Sequence, residues 1–261
     1  MTDPPFPAVD QDLLDEAIEI ATAASQIAVG WYGRSDLLVD NKPDGSPVTE
    51  ADRAAERFVR DELARRHPDD GVIGEEFPNT EGRSGRRWIV DPIDGTQSFI
   101  RKVPLFSTLL AVEDEHGSAI GIIVLPAVDE IVAAGRGRGC TWNGSPCAVS
   151  TTESLDGALV TSSAFTNWPL ADLETLQGHQ AKLRTWGDAY GYAMVATGRA
   201  DVMVDPEVEL YDVAAMPVII NEAGGQFTSV DGRPGPRHGS GLASNGILHD
   251  ELVAVLTPLQ G

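Results

Sequence analysis

The segment Trp88-Ile89-Val90-Asp91-Pro92-Ile93-Asp94-Gly95-Thr96 restricts this chain more than any other stretch of it. An apolar run with strand character leads straight into two carboxylates three residues apart, and Pro92 and Gly95 force a tight turn before a helix. Such a turn directs both carboxylates to one side. Hard divalent cations such as Mg2+ take several oxygen ligands, and Asp91, Asp94 and the free carbonyl of Ile93 offer three from one short piece of backbone. Gly95 and Thr96 then open a helix whose first amides can hold a phosphate. Alone, the turn also reads as an acidic loop with a capped backbone. Two distant segments bear on the choice. Gly74-Glu75-Glu76 follows the short strand Val72-Ile73, so that adjacent strands can bring Glu75 to the same edge, and Tyr211-Asp212 opens an apolar helix. Singly, the first is a solvated loop and the second an N-cap; the combination is far more specific than any member.

The rest of the chain supplies a scaffold for such a site. Leu13, Leu14, Ala17, Ile18, Ala21, Ala24, Ile27 and Ala28 recur at helical spacing and predict a helix over Gln11–Gly30. The turn-forming loop Lys42-Pro43-Asp44-Gly45-Ser46-Pro47 leads to Thr49, the cap of a second helix that runs to about His67 and carries Asp52 in its first turn. Strands follow at 72–74, 88–90, 105–112, 119–125 and 130–134. Helices followed by a strand meander predict an α+β half over residues 1–150, which holds most of the ligand candidates. Residues 151–261 read as an α/β half. Its strands are expected at 157–162, 183–186, 201–204, 226–229 and 241–244. Its helices are expected at 170–180, 189–197 and 249–256, with another at 212–223 that Gly224-Gly225 stops and Pro217 bends.

Composition excludes several classes of function. Nineteen Lys and Arg against 40 Asp and Glu give a formal charge of -21, a surface that repels a phosphate backbone, so nucleic acid is not expected as a partner. The longest apolar runs, 109–112 and 119–128, fall far short of the roughly 20 residues that cross a bilayer. Residues 1–10 lack the basic and apolar regions of a signal peptide, which points to the cytoplasm. Cys140 and Cys147 form neither a disulfide framework nor a zinc pattern. His67, His116, His179, His238 and His249 have no partner at metal-ligand spacing and read as surface residues. Gly135-Arg136-Gly137-Arg138-Gly139 lacks the Lys-Ser/Thr of a nucleotide loop and reads as a hairpin turn. No G-x-S-x-G elbow occurs. A phosphatase of the haloacid dehalogenase type ends a strand in D-x-D-G-T, whereas here Pro92 and Ile93 add a residue between the acids, and one residue of slip turns a side chain to the other face.

In order and spacing, Gly74-Glu75-Glu76, Asp91-Pro92-Ile93-Asp94-Gly95-Thr96 with Phe99, Tyr211-Asp212-Val213-Ala214-Ala215 and Glu222-Ala223-Gly224-Gly225 resemble the signatures of the inositol monophosphatase-like, Mg2+-dependent and lithium-sensitive phosphatases. The resemblance covers nearly the whole chain. It implies a layered α-β-α-β-α sandwich, usually dimeric, and two or three Mg2+ ions held by Glu75, Asp91, the Ile93 carbonyl, Asp94 and Asp212. It implies that Thr96 with Glu75 orients the attacking water and that Asp52 supports a further metal through water. Gln97-Ser98-Phe99 stands where many inositol phosphatases carry Asn-Phe, and Tyr211 stands where they carry Trp. With residues 103–109, 186–192 and 216–219, these departures resemble the histidinol-phosphate phosphatase branch. The implied reaction is hydrolysis of L-histidinol phosphate to L-histidinol and phosphate. Inositol 1-phosphate or a related sugar or nucleotide phosphate is the alternative substrate, and a metal-dependent regulatory module the alternative outside enzymes. A substrate with an amine and an imidazole calls for carboxylates, and Asp188 and Asp205 sit where the resemblance places contacts to its organic part, beside Gly95 and Thr96 for the phosphate. Asp188 also reads as a helix cap, Asp205 as a turn residue before Pro206, and Lys42 as a counter-charge or a solvated lysine.

Overall fold

The structure is a computed structural model and describes residues 6–42, 45–166 and 168–256; Pro43 and Asp44 of the expected turn lie outside the described residues. In chain order the elements are α1 (Gln11–Trp31), β1 (Val39–Asn41), β2 (Pro47–Thr49), α2 (Glu50–Arg66), β3 (Gly71–Gly74), β4 (Arg87–Asp94), α3 (Thr96–Ile100), β5 (Ser107–Asp114), β6 (Gly117–Leu125), β7 (Glu130–Gly135), β8 (Gly139–Trp142) and β9 (Ser145–Pro146). They continue with β10 (Leu159–Thr161), α4 (Leu170–Gly178), β11 (Lys182–Arg184), α5 (Asp188–Ala196), β12 (Val202–Asp205), α6 (Leu210–Val213), α7 (Met216–Glu222), β13 (Gln226–Thr228), β14 (Gly241–Ser244) and α8 (His249–Leu256).

Two sheets organise the molecule, one of seven strands in the order β3-β4-β5-β6-β7-β8-β9 and one of five in the order β11-β10-β12-β14-β13. Both are apolar on their two faces, so each must be covered twice. On the outer face of the larger sheet Trp88, Val90, Leu110, Val112, Ile120 and Ile122 pack on Leu14, Ala17, Ile20, Ala21 and Ala24 of α1 and on Val59 and Leu63 of α2. The alternate residues Ile89, Leu109, Ala111 and Ile123 face α5 and α7, and the far side of those helices meets Met203, Phe227 and Ala243 of the second sheet. Val160, Val202, Val204 and Leu242 then bury the outer face of that sheet under Leu176 of α4 and Leu252 and Leu256 of α8. The five layers are the expected α-β-α-β-α sandwich, and the strand register fixes which residues look into the middle layer: Ile89 does, and two residues on so does Asp91.

Several expectations change. The helix read over 212–223 is two helices, α6 and α7, separated at Ala214–Ala215. Pro217 sits in the first turn of α7, where its missing N–H has no helical partner to lose, so the chain breaks ahead of the proline instead of bending around it. His249 is not a surface residue: it is 1% exposed, with Nε2 2.9 Å from Thr228 Oγ1 and Nδ1 2.9 Å from Ser244 Oγ. It opens α8, which lies over the second sheet, so packing buries a ring whose sequence neighbours are polar. His67 is half-buried and pairs through Nε2 with Glu16 at 2.8 Å. The hairpin β1–β2 and strand β9 are too short for a periodicity to reveal. Gly135 and Gly139 pair at the end of the β7–β8 hairpin, as expected, and the amides of Gly137 and Gly139 donate to the carboxylate of Glu222, each at 2.7 Å. Cys140 and Cys147 are free thiols.

Candidate active site

The turn after β4 gathers its carboxylates through a bulge. In a regular strand residues 91 and 94 point to opposite faces. Here Asp91 pairs with Leu109 but Asp94 pairs with Ser107, so one extra residue of β4 is accommodated between them and Asp94 returns to the face of Asp91. Asp212, brought in by α6, completes the cluster: one oxygen each of Asp91, Asp94 and Asp212 lies within 4.8 Å of the others. Each acid is held by the backbone. Asp91 Oδ1 accepts from Ile93 N at 3.1 Å, Asp94 Oδ2 from Ala189 N at 2.8 Å and Ser107 Oγ at 2.9 Å, and Asp212 Oδ2 from Glu209 N at 2.8 Å. The three line a cavity of about 280 Å³ together with Glu75, Ile93, Gly95, Thr96, Asp188 and Asp205. Gly95 occupies the left-handed region at φ +78°, which lets the strand turn into α3. The Thr96 hydroxyl donates to the Ile93 carbonyl at 3.0 Å and leaves that oxygen a second lone pair.

Asp52 is the expected site residue that the structure does not bring to the cavity. It is 1% exposed and its Oδ2 accepts from Thr49 N at 2.8 Å and Thr49 Oγ1 at 2.5 Å, closing a capping box at the start of α2. Lys42 is a counter-charge: its Nζ lies 2.5 Å from Glu75 Oε1 and 2.7 Å from Glu76 Oε1.

Uncompensated negative charge dominates the site. Burial, reinforced by Glu75, Asp94 and Asp212, pushes the Asp91 carboxyl well above the usual carboxylate range. Burial also raises Asp94 to about 6, against the hydrogen bonds from Ala189 and Ser107, and raises Asp212 to about 8 with help from Asp94. Glu75 moves up for the same reason even with Lys42 beside it. Among the described residues no salt bridge reaches Asp91, Asp94 or Asp212. A converging set of hard oxygen donors, each resisting ionisation because it is buried and has other acids beside it, fits a hard divalent cation.

The two acids expected on the organic side of the substrate differ in kind. Asp205 is 4% exposed, and Ser163 N (2.9 Å), Ser163 Oγ (2.9 Å), Ser162 Oγ (3.4 Å) and Tyr192 OH (3.2 Å) all donate to it. Asp188 opens α5 at φ +50°, and its carboxyl, pushed up to about 8 by burial and by Asp94, Asp205 and Asp212, accepts no hydrogen bond from the described residues. Ser163, Ser107 and Tyr192 were not anticipated. A serine after a strand carries no signal of its own, and what marks these residues is a partner far away in sequence.

The chain is similar to known proteins along nearly its whole length. The profile of the inositol monophosphatase family matches residues 10–260. The chain is 38% identical over 257 residues to a histidinol-phosphatase of Mycobacterium tuberculosis, covering 95% of this chain and 99% of that protein. It is 40% identical over 248 residues to a histidinol-phosphatase of Chlorobaculum parvum, covering 93% and 96%. The solved structure of the IMPase of Thermotoga maritima superposes with a TM-score of 0.88 at 31% identity, covering 96% of this chain and 98% of that one. Layered fold, clustered acids and similarity along almost the full length agree, and the chain belongs to the inositol monophosphatase family.

Proposed function

We propose that the chain is a Mg2+-dependent phosphomonoesterase that hydrolyses L-histidinol phosphate to L-histidinol and phosphate, with water attacking phosphorus directly. The observation that carries this reading is the convergence of Asp91, Asp94 and Asp212 in a cavity shared with Gly95 and Thr96. The names of the relatives that are 38% and 40% identical support the substrate.

Glu75, Asp91, Asp94, Asp212 and the Ile93 carbonyl would hold two or three Mg2+ ions. When bound, these supply Lewis acidity toward the phosphate oxygens and lower the pKa of a water. The chain's own groups position the reactants. The amides of Gly95 and Thr96 hold the phosphate. The Thr96 hydroxyl has its proton on the Ile93 carbonyl, so its oxygen accepts one O–H of the attacking water. Glu75 takes the other proton at its carboxylate, and Lys42, bonded to Oε1, keeps that side chain in place. Asp52 acts from behind, by fixing the start of α2 and adding negative charge near Glu75 and Glu76. This role replaces the expected water-mediated support of a metal. The chain works as a homodimer in this reading, and light scattering should return twice the chain mass.

Phosphate release with Mg2+ from histidinol phosphate, inositol 1-phosphate, fructose 1,6-bisphosphate and 3'-phosphoadenosine 5'-phosphate tests the reading. Histidinol phosphate should give the highest kcat/KM. Faster turnover of inositol phosphate would overturn the substrate but not the chemistry. No turnover of any of the four would favour a regulatory module, and an acyl phosphate on Asp91, detected by mass spectrometry, would exclude direct attack by water.

A further inference from the structure

Cys140 and Cys147 are seven residues apart in the sequence and face each other across the hairpin of β8 and β9. The register Thr141↔Pro146 and Trp142↔Ser145 sets them opposite one another one step further from the turn, and Cys147 N donates to Cys140 O at 3.1 Å. Opposed residues of a hydrogen-bonded antiparallel pair sit about 5.5 Å apart at Cα, inside the roughly 4.4–6.8 Å that a disulfide spans. Here the two Sγ atoms are 3.5 Å apart, and both are free thiols. Bringing them to the S–S bond length of about 2 Å asks for side-chain rotation more than for a change in strand pairing.

The two thiols are not equivalent. Cys140 is 3% exposed and belongs to the apolar cluster that joins the larger sheet to α5 and α7. Cys147 is half-buried, and Ser145, Pro146 and Ala148 around it are exposed. The Cys140 thiol beside it and the Arg199 guanidinium hold the Cys147 thiol below its usual range, against its burial. The Cys147 sulfur and burial push the Cys140 thiol up. Arg199 is itself fixed, with Cζ 4.4 Å from the centre of the Trp142 ring and Nη2 2.6 Å from Glu130 Oε2. The thiolate is the nucleophile of thiol–disulfide exchange, so Cys147 is the attacking sulfur and Cys140 the resolving one.

We propose that Cys140 and Cys147 form a reversible redox site, which a low-molecular-weight disulfide closes to a disulfide bond that fastens the edge strand β9 to β8. The Cys147 thiolate attacks one sulfur of the small disulfide and expels a thiolate, which takes up the proton that Cys147 released. Cys140 Sγ then attacks Cys147 Sγ, and the second small thiolate leaves with the Cys140 proton. The protein gives up two protons and two electrons, and the small disulfide becomes two thiols. A bond at this half-exposed place stays open to reduction by the reverse exchange. Just beyond it Val149 N donates to Ala223 O at 3.0 Å, so the closed bond also anchors the start of the crossing to the second half of the chain.

The test exposes the intact folded protein to glutathione disulfide, unfolds it in iodoacetamide and reads the mass, with a parallel sample melted. The wild type should lose two hydrogens, take up no iodoacetamide and return to the dithiol in dithiothreitol. Its oxidised form should melt several degrees above the reduced form, because the bond restricts the unfolded chain. Cys140→Ala lacks the resolving thiol and should stop with one glutathione on Cys147, whereas Cys147→Ser, left with the buried thiol alone, should react at least tenfold more slowly. A wild type that keeps both thiols open to iodoacetamide, or that stops with one glutathione per chain, would overturn the proposal. So would an oxidised form that melts no higher than the reduced one, or a Cys147→Ser variant that reacts as fast as Cys140→Ala. None of these measurements depends on phosphate release.

Discussion

Gly95 carries more of the site than its lack of a side chain suggests. It turns β4 into α3 at φ +78°, and a Cβ there would meet Asp188 Oδ2 at 3.0 Å and Leu105 O at 3.1 Å. Gly95→Ala should therefore cost about 1–2 kcal/mol for the left-handed backbone, or a fall in Tm of several degrees, and calorimetry would show it. A melt unchanged within one degree would mean that the turn relaxes freely. Asp94→Asn asks a different question. An amide oxygen can still accept from Ala189 N and Ser107, so the fold should survive, but a ligand charge is lost and kcat should drop a hundredfold or more. Loss of less than tenfold would remove Asp94 from the chemistry. At this scale, what could be read in advance was chemistry carried within one short segment: two acids, a carbonyl, a glycine and a threonine between Asp91 and Thr96. What could not be read were roles conferred by distant partners. Nothing in the sequence around Asp205 says that Ser162, Ser163 and Tyr192 saturate it.

The helices and strands that hold these residues were legible in proportion to their length. The repeat of small apolar residues along α1 and the threonine ahead of α2 announce themselves, whereas β9, two residues long, has no period to detect. The break between α6 and α7 depends on where Pro217 falls within a turn, which apolar spacing alone does not decide. The cap of α2 is worth testing directly. Thr49→Ala removes the acceptor for Ala51 N and a donor to Asp52, and should cost about 1–2 kcal/mol; no loss in a urea melt would show the capping box to be redundant. His249 makes a prediction for α8. Burial pushes its folded pKa down to about 4, below the ordinary 6.5, so between these values the unfolded chain takes up a proton that the native state refuses. Its contribution to stability is present in full above pH 6.5 and is lost as the pH falls toward 4. Urea melts across this window should show a steeper loss for the wild type than for His249→Gln, and parallel curves would contradict the assignment.

Over the whole molecule, the two sheets and the helices between them converge on one concentration of negative charge. Asp94 at about 6 and Asp188 and Asp212 at about 8 are all raised above their unfolded values. The metal-free protein therefore loses stability as pH rises from about 4 through 8, because the native state must give up protons that the unfolded chain has already lost. A divalent cation displaces those protons and removes the penalty. The gap in Tm between protein in Mg2+ and protein in EDTA should accordingly widen from pH 6 to pH 8, and a gap that narrows would place the cation elsewhere. Most direct of all is phosphate release from histidinol phosphate by chelator-treated protein while Mg2+ is titrated back. Turnover should be undetectable in EDTA and rise to saturation with added Mg2+; full turnover in excess chelator, with no metal retained by the protein, would contradict a metal-dependent phosphatase.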